Sequence, residues 1–273
     1  MNMKVLTWNI GGYLKKASHQ LEFVHSINPD ILTLQEVILS SYNIWRPKLI
    51  DNGYNVLSSF DLFPEFTFQG PRKYGVLIAS KWNIKHVEYD YNLLPWPEKL
   101  VGLQLKTPMG KIEIFTTHIP PGASNGWIKI DTLNGVYNVL ASRNLPRILT
   151  GDFNTPRYEY KDGTIITFGH RQNKNGVWVD NGKRNGKSRE LWNAGELRIL
   201  SGLQEFQMVD VYRYLNGYSK QDFSWYYRGK LGRRFDHIFA SNILKPIECE
   251  YINGILQKRL SDHKPLYALF KSN

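Results

Sequence analysis

The sequence predicts a layered α/β fold built on two packed sheets. Three observations carry that reading. Short apolar runs rich in β-branched residues recur along all 273 residues, whereas only a few stretches show helical periodicity. Polar residues stand repeatedly where those runs end. No Pro/Gly/Ser linker, charge block or internal repeat divides the chain, so residues 1–273 read as one domain.

The elements follow in order. Residues 4–8 read as a strand ending at Asn9, followed by Gly11-Gly12. Leu14, Ala17, Leu21, Val24 and Ile27 lie at helical spacing over 13–27, and Asn28-Pro29-Asp30 stops that helix. Residues 31–34 form a second buried strand ending at Gln35-Glu36. A strand–helix–strand unit with parallel strands puts Asn9 and Glu36 on one edge of a sheet. A helix over 42–50 and a strand over 54–59 come next. An irregular aromatic stretch covers 60–73. Strands are expected over 74–80, 84–91, 101–106 and 111–117, the last ending at His118. After Pro120-Pro121 a helix spans 127–140.

Residues 147–150 are a short apolar strand that Gly151 ends in a tight turn, with Asp152 and Asn154 just beyond. In extended chain, residues two apart point the same way, so the carboxylate and amide lie side by side. Gly, Asp and Asn before Pro also make a turn unaided. Residues 157–187 form a long polar loop rich in Gly, Asn, Lys and Arg. A helix over 190–206 and strands over 208–212, 223–227, 234–240, 247–252 and 266–270 complete the chain.

Composition narrows the function. The single Cys249 excludes an internal disulfide framework and a multi-cysteine zinc site. No apolar run reaches membrane-spanning length, and the first residues look like a strand rather than a signal peptide. A cytoplasmic, monomeric protein is the expectation. The formal charge of +11 favours polyanionic partners, nucleic acid above all, with anionic lipid surfaces as the alternative. Eight Trp, sixteen Tyr and thirteen Phe suit a core, and they also suit stacking on bases or sugars.

The polar residues at strand ends are Asn9, Glu36, His118, Asp152, Asn154, Asp236, Asp262 and His263. Each has a plain structural explanation alone: Asn9 as a turn cap, Asp236 as partner of Arg233 or Arg234, Asp262-His263 as a turn before Pro265. Together they contain what hydrolysis of a phosphate ester needs. Glu36 and Asn9 offer oxygens to a hard cation such as Mg²⁺, or Mn²⁺. Asp152, beside Asn154, can orient or deprotonate a water. His118 and His263, if protonated, can stabilise developing negative charge, and Asp236 can orient such a histidine and raise its pKa.

Five motifs then stand in order: Trp8-Asn9, Leu34-Gln35-Glu36, Gly151-Asp152-Phe153-Asn154, Arg234-Phe235-Asp236 and Ser261-Asp262-His263. Each is short, but the ordered set resembles the endonuclease/exonuclease/phosphatase superfamily over nearly the whole chain. That resemblance implies a four-layered α/β sandwich, two mixed sheets flanked by helices, with the active site at one edge. It implies Glu36 as main Mg²⁺ ligand with Asn9 beside it, and Asp262 as a further acidic metal-site residue. Asp152 would activate water, Asn154 orient the phosphate, and His263 adjoin the scissile phosphate with Asp236 as partner. His118 falls where deoxyribonucleases and sphingomyelinases have histidine and abasic endonucleases usually have tyrosine.

The segments 203–213 and 223–236 are similar to the exonuclease III-type branch, which implies DNA contacts for Trp225, Arg228, Lys230 and Arg233. The other reading makes Trp225 core and Arg228 a solvated charge. The layout from Leu34 to His118 is also similar to tyrosyl-DNA phosphodiesterases. The expected function is metal-dependent hydrolysis of DNA phosphodiesters, of abasic-site or repair type. A phosphatase or phosphodiesterase for a small, lipid or tyrosyl-DNA phosphoester, and a catalytically dead nucleic-acid-binding module, are the alternatives.

Overall fold

A computed structural model describes residues 2–271. Two six-stranded sheets form its centre. The first runs in the order Pro246–Tyr251, Leu266–Lys271, Asn2–Asn9, Ile31–Val37, Gly75–Ser80, Asn55–Ser58. The second runs Met208–Asp210, Asp236–Ser241, Arg147–Asp152, Gly110–His118, Leu100–Thr107, Ile84–His86. Each sheet has one parallel pair, Asn2–Asn9 with Ile31–Val37 and Gly110–His118 with Arg147–Asp152. Each parallel pair is joined by a crossover that contains a helix, Ala17–Ile27 in one and Ile128–Ala141 in the other.

Alternation along the strands sorts the side chains into layers. Val5, Ile31 and Ile78 of the first sheet meet Ile114, Ile148 and Ile238 of the second in a core between the sheets. Their neighbours Leu6, Leu32 and Leu34 face outward onto Leu21, Val24 and Trp45 of helices Ala17–Ile27 and Leu39–Asp51. Phe115, Leu149 and Phe239 face the other way, onto Leu133, Val136 and Ile199 of helices Ile128–Ala141 and Arg189–Leu200. The result is helix, sheet, sheet, helix: the four-layered α/β sandwich expected from the motifs. Polar bonds cross between the sheets as well, Thr33 Oγ1 to Thr150 Oγ1 at 2.8 Å and Gln35 Nε2 to Thr116 Oγ1 at 2.9 Å.

Several elements differ from the sequence expectation, each for a local reason. The strand after Ser80 is only Ile84–His86, because Asp90 caps a short helical turn, Tyr91–Leu93, through the Asn92 amide. The 208–212 strand stops at Asp210, whose carboxylate caps helix Val211–Asn216 through the Arg213 amide. The 190–206 helix ends at Leu200 and resumes as a 3₁₀ turn, Gly202–Phe206. Residues 60–73 hold most of a short helix, Ser59–Leu62, and a 3₁₀ turn, Glu65–Thr67. The 157–187 stretch is not an irregular loop. It contains three small hairpins, pairing Tyr158–Glu159 with Ile165–Ile166, His170–Gln172 with Trp178–Asp180, and Lys183–Arg184 with Lys187–Ser188.

The strand 147–150 is longer than expected, and this matters most for the site. Gly151 does not turn the chain but carries the strand on to Asp152. Its φ is +141°, and a Cβ there would stand 1.9 Å from the Thr117 carbonyl oxygen, so the close strand approach requires glycine. No helix among the described residues is long and apolar enough to cross a membrane.

Candidate active site

Strand register sets the floor of the site. His118 lies opposite Asp152 in the parallel ladder, and Asp152 lies opposite Asp236 in the antiparallel one. Three chemically active side chains thus stand on adjacent strands of the second sheet. The first sheet supplies two more. Asn9 pairs with Gln35, and an extra residue between Leu34 and Val37 bulges the strand and holds Glu36 at φ +53°. A bulge re-aims a side chain, here towards the cavity between the sheet edges. The loop carrying His263 is fastened to the first strand: Ser261 Oγ donates to the Asn9 carbonyl at 2.6 Å and Trp8 Nε1 to the His263 carbonyl at 3.0 Å.

These elements converge on a cavity of about 710 Å³. His263 Nδ1 donates to Asp236 Oδ2 at 2.7 Å, and its Nε2 lies 3.8 Å from Asp152 Oδ2. The Asn9 amide nitrogen donates to Asp152 Oδ2 at 2.9 Å and to Glu36 Oε1 at 3.1 Å. His118 Nε2 is 3.6 Å from Glu36 Oε1 and 4.0 Å from Asp152 Oδ2. Asp152, Asp236, His118 and His263 are all buried.

Burial and neighbours separate the two histidines. Burial alone would lower His263, but Asp236 and then Asp152 raise it to about 10, so it carries a proton at neutral pH. His118 has burial against it, with Lys99 and His263 adding repulsion, and is held well below the usual imidazole range. Of the two, His263 is therefore the one held in the charged form. Asp152 is pushed up to about 7, by burial first and by Asp236 and Glu36 against the opposing pull of His263. Glu36 is raised as well, mainly by burial.

Two carboxylates raised chiefly by burial thus stand side by side. Oxygens of Glu36 and Asp152 and a ring nitrogen of His118 lie within 4.8 Å of one another, as do ligand atoms of Asp152, Asp236 and His263. The first set fits a divalent cation. The second contains the imidazolium of His263, which repels one.

The other expected residues lie around this set. Asn9 accepts the Gly11 N–H on its amide oxygen at 3.0 Å, which leaves that oxygen a second lone pair, and its nitrogen donates to the two carboxylates. Asp262 lines the cavity but is exposed, with Oδ2 3.3 Å from Trp225 Nε1, apart from the compact donor set. Asp152 and Asn154 do not project from extended chain. Asn154 sits at φ +50°, its amide bonded to Asp152 Oδ1 at 2.8 Å and its side-chain nitrogen to the Ile119 carbonyl at 2.9 Å. Asp236 pairs with neither Arg233 nor Arg234; Arg234 is taken by Glu159 and Asp210. Trp225, half-buried and stacked on Phe235 at 5.3 Å, lines the cavity together with Arg233. Arg228 and Lys230 are exposed at the tip of the Trp225–Tyr227/Leu231–Arg233 hairpin and do not line it.

The motifs missed Tyr74, Lys99 and Lys129, which also line the cavity. Lys129 left a trace: with Leu133, Val136 and Leu140 it falls on the apolar stripe of its helix, where a lysine needs a buried partner. Tyr74 and Lys99 meet only through the fold, Lys99 Nζ donating to the Tyr74 carbonyl at 2.5 Å.

Comparison with known proteins fits this geometry. A model of the Endonuclease/Exonuclease/phosphatase family matches residues 6–263. The chain is similar to exodeoxyribonuclease III of Haemophilus influenzae, 25% identical over 98% of this chain and 100% of that protein. Its fold is similar to an AP endonuclease from Archaeoglobus fulgidus, with a TM-score of 0.70, 20% identity, and 98% and 99% of the two chains covered. It is also similar to the 3'-5' exonuclease NExo from Neisseria meningitidis, with a TM-score of 0.67, 20% identity, and 98% and 100% covered. With the ordered motifs, the layered fold and the family match in agreement, this chain belongs to the Endonuclease/Exonuclease/phosphatase family and is a phosphoric ester hydrolase.

Proposed function

We propose that the protein is a Mg²⁺- or Mn²⁺-dependent phosphodiesterase that hydrolyses DNA by in-line attack of water on phosphorus. The observation that carries the reading is the position of Asp152. Its Oδ2 lies 3.8 Å from an imidazolium nitrogen on one side and 4.0 Å from His118 beside Glu36 on the other. Glu36 would be the main ligand of the cation, with Asn9 and His118 beside it, Asp152 at its edge and water in the remaining positions of a hard ion. When bound, the cation polarises a phosphoryl oxygen and neutralises charge on the leaving oxygen.

The chain's own groups do the rest. Asp152 accepts a hydrogen bond from the attacking water and takes its proton as the new O–P bond forms. Its carboxylate is kept in place by the amides of Asn154 and Asn9. His263, protonated and oriented by Asp236, donates from Nε2 to a non-bridging oxygen and stabilises the developing charge. Asn154 spends one side-chain N–H on Ile119, leaving the other for the phosphate. The bond to the 3′-oxygen breaks, which leaves a 5′-phosphate.

DNA is favoured over a small phosphoester because aromatic and basic residues from two separate segments flank the cavity. Phe168 and Asn181 come from the 157–187 hairpins, and Trp225, Tyr227 and Arg233 from the 223–235 segment. Base-sized aromatic faces beside cations suit a nucleic acid chain. The relatives' names point the same way: one is an exodeoxyribonuclease. The test is one substrate panel with Mg²⁺ or Mn²⁺: plasmid, abasic duplex, 5′-tyrosyl oligonucleotide, RNA, inositol phosphate and sphingomyelin. Cleavage of DNA with 5′-phosphate ends is expected. Turnover confined to inositol phosphate or sphingomyelin would overturn the reading.

A further inference from the structure

A buried ion pair lies directly behind the Asp152–Asn154 loop. Lys129 and Glu196 come from two different helices, are 1% and 0% exposed, and meet at 2.6 Å. The pair is fully used. Lys129 Nζ also donates to the Asn154 carbonyl at 2.8 Å. Glu196 Oε1 accepts from Trp192 Nε1 at 2.7 Å, and Oε2 accepts from Thr155 Oγ1 at 2.6 Å and from the Phe168 amide at 3.0 Å. The ammonium stands 4.5 Å from the Phe168 ring centroid. One carboxylate thus ties the loop after Asp152 to the first turn of chain that lines the cavity from the 157–187 hairpins.

The same loop is held from its other side. His237 Nε2 donates to the Thr155 carbonyl at 2.9 Å, and its Nδ1 lies 3.3 Å from Asp210 Oδ2. Two consecutive carbonyls, Asn154 and Thr155, therefore each accept a bond from a buried side chain. The first of these residues, Asn154, stands in the left-handed region at φ +50°. Asparagine adopts that conformation more readily than other non-glycine residues, and here the bonds to the two carbonyls hold it. A buried ion pair adds little net stability over a well-packed apolar pair, so stability alone is a weak reason for one here.

We infer that Lys129 and Glu196 are positioning residues for the hydrolytic reaction. They fix the Asn154 carbonyl and so set the Asn154 side chain and the amide that orients Asp152. Both act through the loop, because the Lys129 ammonium at the cavity wall is spent on Glu196 and the Asn154 carbonyl. The inference rests on the nuclease reading, because its kinetic consequence is a misplaced water-activating carboxylate. Displacement of such a group by a fraction of an ångström lowers kcat and leaves KM largely unchanged.

The experiment compares wild type with Lys129→Met, Glu196→Gln and the double variant. Each single change strands one buried charge and should lower Tm. The double change removes both charges and should recover most of that loss. Catalysis should not recover with it: kcat on the best DNA substrate of the panel should stay down by roughly ten-fold or more, with KM little changed. Hydrogen exchange at the Asn154 amide should also be faster by about ten-fold, while the amides of strand 147–152 keep wild-type protection. A double variant with wild-type kcat and wild-type exchange at Asn154 overturns the inference and leaves the nuclease reading intact. Should the double variant not fold, Glu196→Gln, equal in volume, carries the same two measurements. If the wild type cleaves no DNA, the nuclease reading fails. The exchange rate then decides the positioning alone: unchanged protection at Asn154 in the variants overturns it.

Discussion

The strand-end cluster and the 157–187 hairpins meet at one cavity and are built on opposite physical terms. In the cluster, Asn9, His118, Asp152, Asp236 and His263 are buried, and short polar bonds fix all but His118, whose nearest polar neighbour is Glu36 at 3.6 Å. The hairpins hold seven Lys or Arg against three Asp or Glu, a surplus of four within the chain's +11. Lys161, Arg171, Lys174, Lys183 and Lys187 among them are exposed. Buried groups interact strongly at short range and tolerate no displacement. Exposed charges act through solvent, are screened by salt, and tolerate change singly. On the proposed reading, one region does the chemistry and the other holds the polyanion.

Glu159 is where the two regions are joined. It belongs to the first hairpin, yet it is buried and takes paired bonds from both Arg234 and Arg213 at 2.8–3.3 Å. Arg234, two residues before Asp236, also reaches Asp210 on the neighbouring strand at 2.6 Å. A buried network therefore anchors the hairpin segment to the strand that orients His263.

The largest effect should come from Asp152→Ala, which removes the proposed water-activating group. Turnover should fall about 10²–10⁴-fold, while DNA binding measured by fluorescence anisotropy stays close to wild type. Equal loss of both would erase the division between the regions.

Arg234→Met tests the joint. It strands Glu159 and Asp210 without their main partner and should cost about 3–5 kcal/mol in chemical denaturation. The pH dependence carries the same information. Burial alone would raise Glu159, but Arg234 and Arg213 bring it down to about 2. Its contribution is thus present above the ordinary glutamate range and is lost as pH falls towards 2. That contribution is on the order of 3 kcal/mol. The acid limb of the stability curve between about pH 5 and 2 should flatten in Arg234→Met; an unchanged limb would mean that the network does not hold the hairpins.

The smallest effect on stability, with a clear effect on binding, should follow from replacing Lys161, Arg171, Lys174, Lys183 and Lys187 with Gln. Each exposed change should alter stability by no more than about 0.5 kcal/mol. The slope of log K against log salt for duplex DNA should shrink by about 0.9 for each phosphate that is no longer neutralised. An unchanged slope would place the polyanion elsewhere on the molecule.

Much of this organisation was legible in the chain. Strict apolar runs marked the strands of both sheets, and the strand–helix–strand unit put Asn9 and Glu36 on one edge, as the parallel register of their strands bears out. Where local signals misled, tertiary contact overrode them. Gly151 looked like a turn because glycine usually means one, but here it admits the Thr117 carbonyl. The hairpins between 157 and 188 are too short to show a period, so composition alone suggested a loop.

By itself the sequence determined the layers, the order of the motifs and the residue types at the strand ends, because periodicity and turn chemistry are local. Tertiary structure decided the protonation of His263 against that of His118, the bulge that aims Glu36, and the partners of Lys129. Those depend on distances between residues far apart in the chain, and on how much water the fold leaves around them.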